Sequence, residues 1–173
     1  MSNNGGIVAG VAADLTEQDE IKRAVQFARD TYGAPEIVVS NVHLGDGGAD
    51  GDGSFESLKK EDYDAAFKEL TMSVIHLTQE VIPDMKAKGW GRLINVGSGA
   101  AKEPPQEIEH LLHNIARAPV VLLNKSLAND LGKYGITVNT VGTGWIATEA
   151  VQKYARDMGI EEDKIEDWVK ENF

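Results

Sequence analysis

Apolar positions along the chain follow two rhythms, and their alternation organises the molecule. Ile7 to Ala13 is a short run of apolar and small residues suited to a strand, and Asp14-Leu15-Thr16 then leads into a helix. Thr16 with Asp19 three residues later approximates a capping box. Ile21, Val25 and Ala28 put an apolar stripe on this helix, which Gly33 and Pro35 end. Ile37-Val38-Val39 is apolar on both faces, the pattern of a central strand in a parallel sheet covered by helices.

A polar, glycine-rich loop from Gly45 to Ser57 separates this strand from a long helix predicted over Asp62 to about Lys88, with Phe67, Leu70, Val74, Leu77 and Val81 at three- and four-residue spacing. Gly91 to Val96 reads as the next strand. Ile108 to Leu131 reads as the next helix, closed by Gly132 and Tyr134-Gly135, with Pro119 expected to break or kink it. Thr137 to Val141 is the last strand, and Glu149 to Phe173 forms one or two helices broken near Gly159. Strands alternating with helices predict an α/β fold with a Rossmann-like parallel sheet, as a single domain over residues 1–173 without internal repeats.

Composition narrows the function. A net charge of −11 disfavours a nucleic-acid partner, which needs clustered cations to release counterions from phosphate. The absence of cysteine excludes disulfides, thiolate metal sites and cysteine nucleophiles. Neither a secretion-type start nor an apolar run long enough to span a bilayer is present, so no membrane association and a cytoplasmic location are expected. Asn4-Gly5-Gly6 precedes a strand instead of following one, so it is read as a plain chain start and not as a phosphate-binding turn.

The order of landmarks from Ile7 onward resembles the short-chain dehydrogenase/reductase family. Its parts are the helix ending Pro83-Asp84-Met85, the strand Gly91 to Val96, the helix around Arg117, the strand Ile136 to Asn139, and the loop Gly144-Trp145-Ile146-Ala147-Thr148. Leu70, Arg117, the Asn114 beside His113, Gly89-Trp90-Gly91-Arg92 and Lys102-Glu103-Pro104 resemble an atypical subgroup similar to 3-oxoacyl-[acyl-carrier-protein] reductases. The resemblance implies an oxidoreductase that uses NADP or NAD on a small-molecule carbonyl or alcohol. It also implies a chain truncated relative to the family, without the N-terminal glycine-rich unit or the last strand. Ile7 to Ala13 would be the family's third strand, separated from the fourth by two absent strands. It is therefore expected to slide next to Ile37 to Val39, giving four strands with the first three helices on one face. The other, apolar face would be covered by the C-terminal helices or by another subunit, so a homo-oligomer is expected.

Site residues carry over one by one. Ser98, at the end of Ile94-Asn95-Val96-Gly97-Ser98, matches the serine that polarises the substrate carbonyl; as a turn serine it would simply bond nearby backbone. His113 stands at the position of the catalytic tyrosine and Arg117 at that of the lysine, one helical turn on. A histidine can exchange protons near neutral pH, whereas an arginine stays cationic and suits an anionic group or a carboxylate such as Glu103. Leu70 replaces the asparagine that holds a relay water. Asn41 is retained within Ser40-Asn41-Val42-His43, with His43 where the family keeps glycine. Asp14 matches the aspartate near adenine, Thr148 the threonine near the carboxamide, and Gly144 is kept while Thr143 replaces a proline. The tetrad is thus degenerate. Two alternatives on the same fold are a cofactor-free lyase or dehalogenase-like enzyme, which the Ser98 and Arg117 pair resembles, and a catalytically silent interaction protein. Separately, Asp50, Asp52, Ser54, Glu56 and Glu61 fit the register of a calcium loop, but Phe55 stands where its sharp turn requires glycine, so the segment reads as a solvated loop.

Overall fold

The computed structural model describes residues 6–42, 55–104, 111–144, 146 and 148–172. Its elements run α1 (Gln18–Tyr32), β1 (Ile37–Ser40), α2 (Lys60–Phe67), α3 (Ser73–Lys88), β2 (Gly91–Ser98), α4 (Leu111–Leu131), β3 (Ile136–Thr143), α5 (Glu149–Asp157) and α6 (Ile165–Asn172). Among the described residues the sheet has three strands in the order β1-β2-β3, all parallel. The α/β, Rossmann-like architecture expected from the two rhythms is therefore present.

The fourth strand is not. Ile7 to Ala13 pairs with no strand, and Ile7 is 89% exposed. A strand holds its place only by satisfying its backbone on a neighbour. Here the segment is fastened instead at its far end, where the Arg23 guanidinium donates to the Ala12 carbonyl at 2.8 Å and Asp14 folds onto Thr16. Among the described residues the outer edge of β1 has no pairing strand. The expected capping box at Thr16 and Asp19 does not form either. Asp14 Oδ1 already accepts both the backbone N–H and the hydroxyl of Thr16 at 2.8 Å, the helix starts at Gln18, and Asp19 pairs with Lys22.

Side chains alternate between the two faces of the sheet, and the helices choose one. Leu93, Ile136 and Val138 point toward Ile21 and Val25 of α1, Val81 and Met85 of α3 and Leu131 of α4, forming the main core. Ile37 and Val39, on the opposite face, are 58% and 57% exposed. That face also carries Ile94, Val96 and Val141, whose register places them side by side. The expected one-sided arrangement is thus observed on three strands instead of four. Arg29 ties α1 to α3, donating to Glu80 Oε1 at 2.8 Å, to the Glu80 carbonyl at 2.9 Å and to Asp84 Oδ2 at 2.7 Å.

Between α2 and α3 the helix passes through a π-helical turn at Lys68–Met72, which fits an extra residue into the spiral. Ala66 therefore packs inward with Leu70, Leu112 and Ala116, while Phe67 turns outward at 36% exposure, against its expected core position. α4 runs through Pro119 without a break. Proline supplies no N–H for the Ile115 carbonyl, and at the next residue the Thr71 hydroxyl donates to the Ala116 carbonyl at 2.5 Å, tying this turn of α4 to the π-helical turn. Gly159, in a left-handed conformation at φ 83°, separates α5 from α6 where the break is expected. No helix among the described residues is long and apolar enough to cross a membrane.

Candidate active site at the carboxyl edge of the sheet

Parallel strands all end at one edge, and loops leaving that edge are where such sheets hold ligands. Asn41 follows β1 and is exposed; Ser98 closes β2; Gly144 follows β3 and is exposed. Gly142 and Thr143 pair with Gly97 and Ser98, so β2 and β3 terminate level with one another, and the Thr143 hydroxyl donates to the Gly97 carbonyl at 2.9 Å. Thr148 lies further on, where its hydroxyl accepts the Val151 N–H at 3.4 Å and its carbonyl the Gln152 N–H at 2.9 Å. It caps α5, and its own O–H proton is left to donate.

Ser98 Oγ accepts from the Ala100 N–H at 3.2 Å as the chain enters a 3-10 turn over Gly99–Ala101. That bond is the one a turn serine makes, and it uses only a lone pair, leaving the hydroxyl proton available at the edge. α4 packs against this turn and carries His113 and Arg117, both half-buried and one helical turn apart; Arg117 lines a cavity together with Asn95 and Gly97 of β2. Burial pushes the Arg117 guanidinium pKa below its ordinary value. The expected pair with Glu103 is not formed, because Glu103 sits 83% exposed and pairs with Lys102 at 3.6 Å. Leu70 is buried at 3% exposure against Leu112 and Ala116, so an apolar side chain that can hold no water by hydrogen bonding fills this position.

Asp14 stands apart from these residues, at the entrance to α1. Its carboxyl pKa is held below the usual carboxylate value by the backbone and side-chain hydrogen bonds from Thr16, with a smaller contribution from Lys68. His43, Trp145 and Asp50, Asp52 and Ser54 of the calcium register lie outside the described residues; Glu56 and Glu61 are exposed.

One feature of the edge escaped the sequence reading. On the helix-covered face, Ser40, Asn95 and Thr140 are register partners and form a polar row across all three strands. Asn124 of α4 closes over the row, accepting from Asn95 Nδ2 at 2.8 Å and donating to Thr140 Oγ1 at 2.6 Å. Asn95 and Asn124 are 5% and 3% exposed. The available signal was an asparagine inside each of two apolar runs, Leu93 to Val96 and Val120 to Leu127.

A parallel sheet covered by helices, with polar side chains at the carboxyl ends of its strands, defines a Rossmann-like α/β fold, and the sequence places the chain more closely. It belongs to the short-chain dehydrogenase family, whose profile matches residues 1–159. Among curated proteins it is 29% identical over 168 residues to the D-beta-hydroxybutyrate dehydrogenase of Rhizobium meliloti (strain 1021), covering 94% of this chain and 62% of that protein. It is 30% identical over 145 residues to the 3-oxoacyl-[acyl-carrier-protein] reductase of Haemophilus influenzae, covering 83% of this chain and 56% of the reductase. The L-sorbose reductase of Gluconobacter frateurii, solved with NADPH and L-sorbose, superimposes with a TM-score of 0.75 at 26% identity, over 86% of this chain and 54% of that one. The chain thus spans somewhat more than half the length of these relatives.

Whether the residues present suit a nicotinamide nucleotide divides by the part of the nucleotide. Asn41 after β1 and Ser98 at the end of β2 carry hydrogen-bonding side chains at the carboxyl edge of the sheet, of a kind that can meet the polar nicotinamide-ribose end. Among the described residues no strand leads through a glycine-rich turn into a helix, the unit whose backbone N–H groups hold a pyrophosphate.

Proposed function

We propose that this chain is the substrate-side part of an NAD(P)-dependent oxidoreductase that acts on a small-molecule carbonyl or alcohol. The observation that carries the reading is the sheet edge itself: β2 and β3 end level with one another at Ser98 and Thr143, Gly144 follows, and α4, the helix that carries His113 and Arg117, packs against the turn after Ser98. In this reading Ser98 donates its hydroxyl proton to the substrate oxygen, and His113 exchanges a proton with that oxygen as it changes between carbonyl and alcohol. Arg117 is a fixed charge that orients an anionic or hydroxyl-bearing group and transfers no proton. A bound nicotinamide would supply the hydride; Asn41 and Thr148 would hold its near end, and Asp14 its adenine. A second copy of the chain covers the face bearing Ile37, Val39 and Val141, so the working unit is a homo-oligomer in the cytoplasm.

The buried Leu70 favours a second reading, that of a catalytically silent family member, because the position of the relay asparagine is filled by packing. Tryptophan quenching on titration with NADPH and NADH, together with turnover of short 3-oxo and polyol substrates, separates the two. Saturable binding and a Ser98→Ala variant that loses turnover at least a hundredfold are expected. Nucleotide binding with no turnover of any carbonyl would leave the silent reading standing.

A further inference from the structure

The polar row Ser40, Asn95 and Thr140 lines a small cavity of about 20 Å³ together with Leu70, Val74 and Arg117. A space of this size has room for one small particle, a water or a monatomic ion. Its polar groups are unequal. Ser40 is 6% exposed, and its buried hydroxyl makes no hydrogen bond. Thr140 Oγ1 accepts from Asn124, so its own proton is free to donate into the cavity. Asn95 already spends its amide N–H on Asn124. Among the described residues no acidic side chain lines the space and Arg117 has no carboxylate partner. The cavity therefore presents an excess of donors and a full positive charge beside apolar walls. Buried polar groups are normally paired, and an orphaned hydroxyl next to an uncompensated cation asks for an acceptor that carries negative charge.

We infer that this cavity binds a small monovalent inorganic anion of about the size of chloride, held by Arg117, Ser40 and Thr140. A water would satisfy Ser40 but would leave the guanidinium uncompensated. The apolar wall made by Leu70 and Val74 favours a weakly hydrated anion, so bromide should bind better than fluoride. The site shares Arg117 with the proposed active site but needs no nucleotide.

The test compares sodium bromide with sodium fluoride at fixed ionic strength, reading the urea midpoint of the whole chain and the line width of chloride-35 resonance in competition with bromide. Bromide should raise the midpoint saturably, and Arg117→Met should weaken half-saturation by tenfold or more. Ser40→Ala guards against a folding failure: it removes an unpaired hydroxyl, so it should fold at least as well without halide, yet bind bromide several-fold more weakly. Arg23→Met, a change on the surface of α1, should respond as the parent chain does. Absence of any bromide-specific response in the parent chain would mean that the cavity holds only water. An equal response in Arg117→Met would mean a general salt effect, and either result overturns the inference. A parallel NADPH titration keeps the two ideas separate, since bromide can bind where the nucleotide does not, and the reverse.

Discussion

Asn124→Ala is the change that most directly probes how α4 is held on the sheet. The asparagine is 3% exposed and joins two strands, accepting from Asn95 Nδ2 at 2.8 Å and donating to Thr140 Oγ1 at 2.6 Å. Losing two neutral hydrogen bonds costs about 1 kcal/mol each, and leaving the buried Asn95 amide without an acceptor adds about 1–3 kcal/mol, so a total of about 3–5 kcal/mol is expected. Thr140→Val, which removes only one acceptor, should cost about 1–2 kcal/mol. The double variant should cost clearly less than the sum, because once Asn124 is gone the Thr140 hydroxyl has already lost that partner; a coupling of about 1 kcal/mol or more is expected. Urea unfolding followed by tryptophan fluorescence, with an unchanged slope against denaturant, measures all three. Strict additivity, or a loss below about 1 kcal/mol for Asn124→Ala, would show that water replaces the asparagine freely and that the row is not a structural lock.

Gly135 has φ 70° and a Cβ there would lie 2.4 Å from the Gly89 carbonyl oxygen, so Gly135→Ala combines left-handed strain with a backbone clash and should cost more than about 1–2 kcal/mol by thermal or urea unfolding. Arg29→Met should cost about 1.5–3 kcal/mol, since it leaves the half-buried Glu80 and Asp84 without their shared cation; Lys22→Met, which breaks only an exposed pair with Asp19, should be nearly silent in the same assay. Asp14 has a pKa lowered in the folded chain, so its contribution is present above the unfolded carboxylate pKa and is lost as pH falls through the lowered value. The Thr16 amide resonance should therefore shift in acid only below the ordinary carboxylate range, and a midpoint at or above that range would contradict the hydrogen bonds seen at Thr16.

Which parts of this were legible in the sequence follows from where the information lies. The helix and strand rhythms depend on local spacing, so strands over Ile37 to Val39, Gly91 to Val96 and Thr137 to Val141 could be read directly and fall inside the observed Ile37–Ser40, Gly91–Ser98 and Ile136–Thr143, and the break at Gly159 was legible too. Ile7 to Ala13 has the composition of a strand, but composition cannot supply the neighbour that pairs its backbone, and none pairs with it. Phe67 fits the helical period and still turns outward, because the π-helical turn at Lys68–Met72 changes the phase in a way no fixed period anticipates. Ser98, His113 and Arg117 were found by position in a family pattern. The row Ser40, Asn95 and Thr140 depends on strand register, which unites residues far apart in the chain.

His113, Arg117 and Asn124 recur on α4 at intervals of four and seven residues, which brings all three to nearly the same azimuth of the helix. Apolar contacts tolerate a few degrees of roll about the helix axis; two directed hydrogen bonds from one amide do not. The asparagine thus works as a key in a slot, setting the rotational phase of the helix from a point two turns beyond the arginine. A variant in which an apolar side chain replaced this key would keep α4 against the sheet through its other contacts, while the arginine and histidine two and three turns back lost their aim.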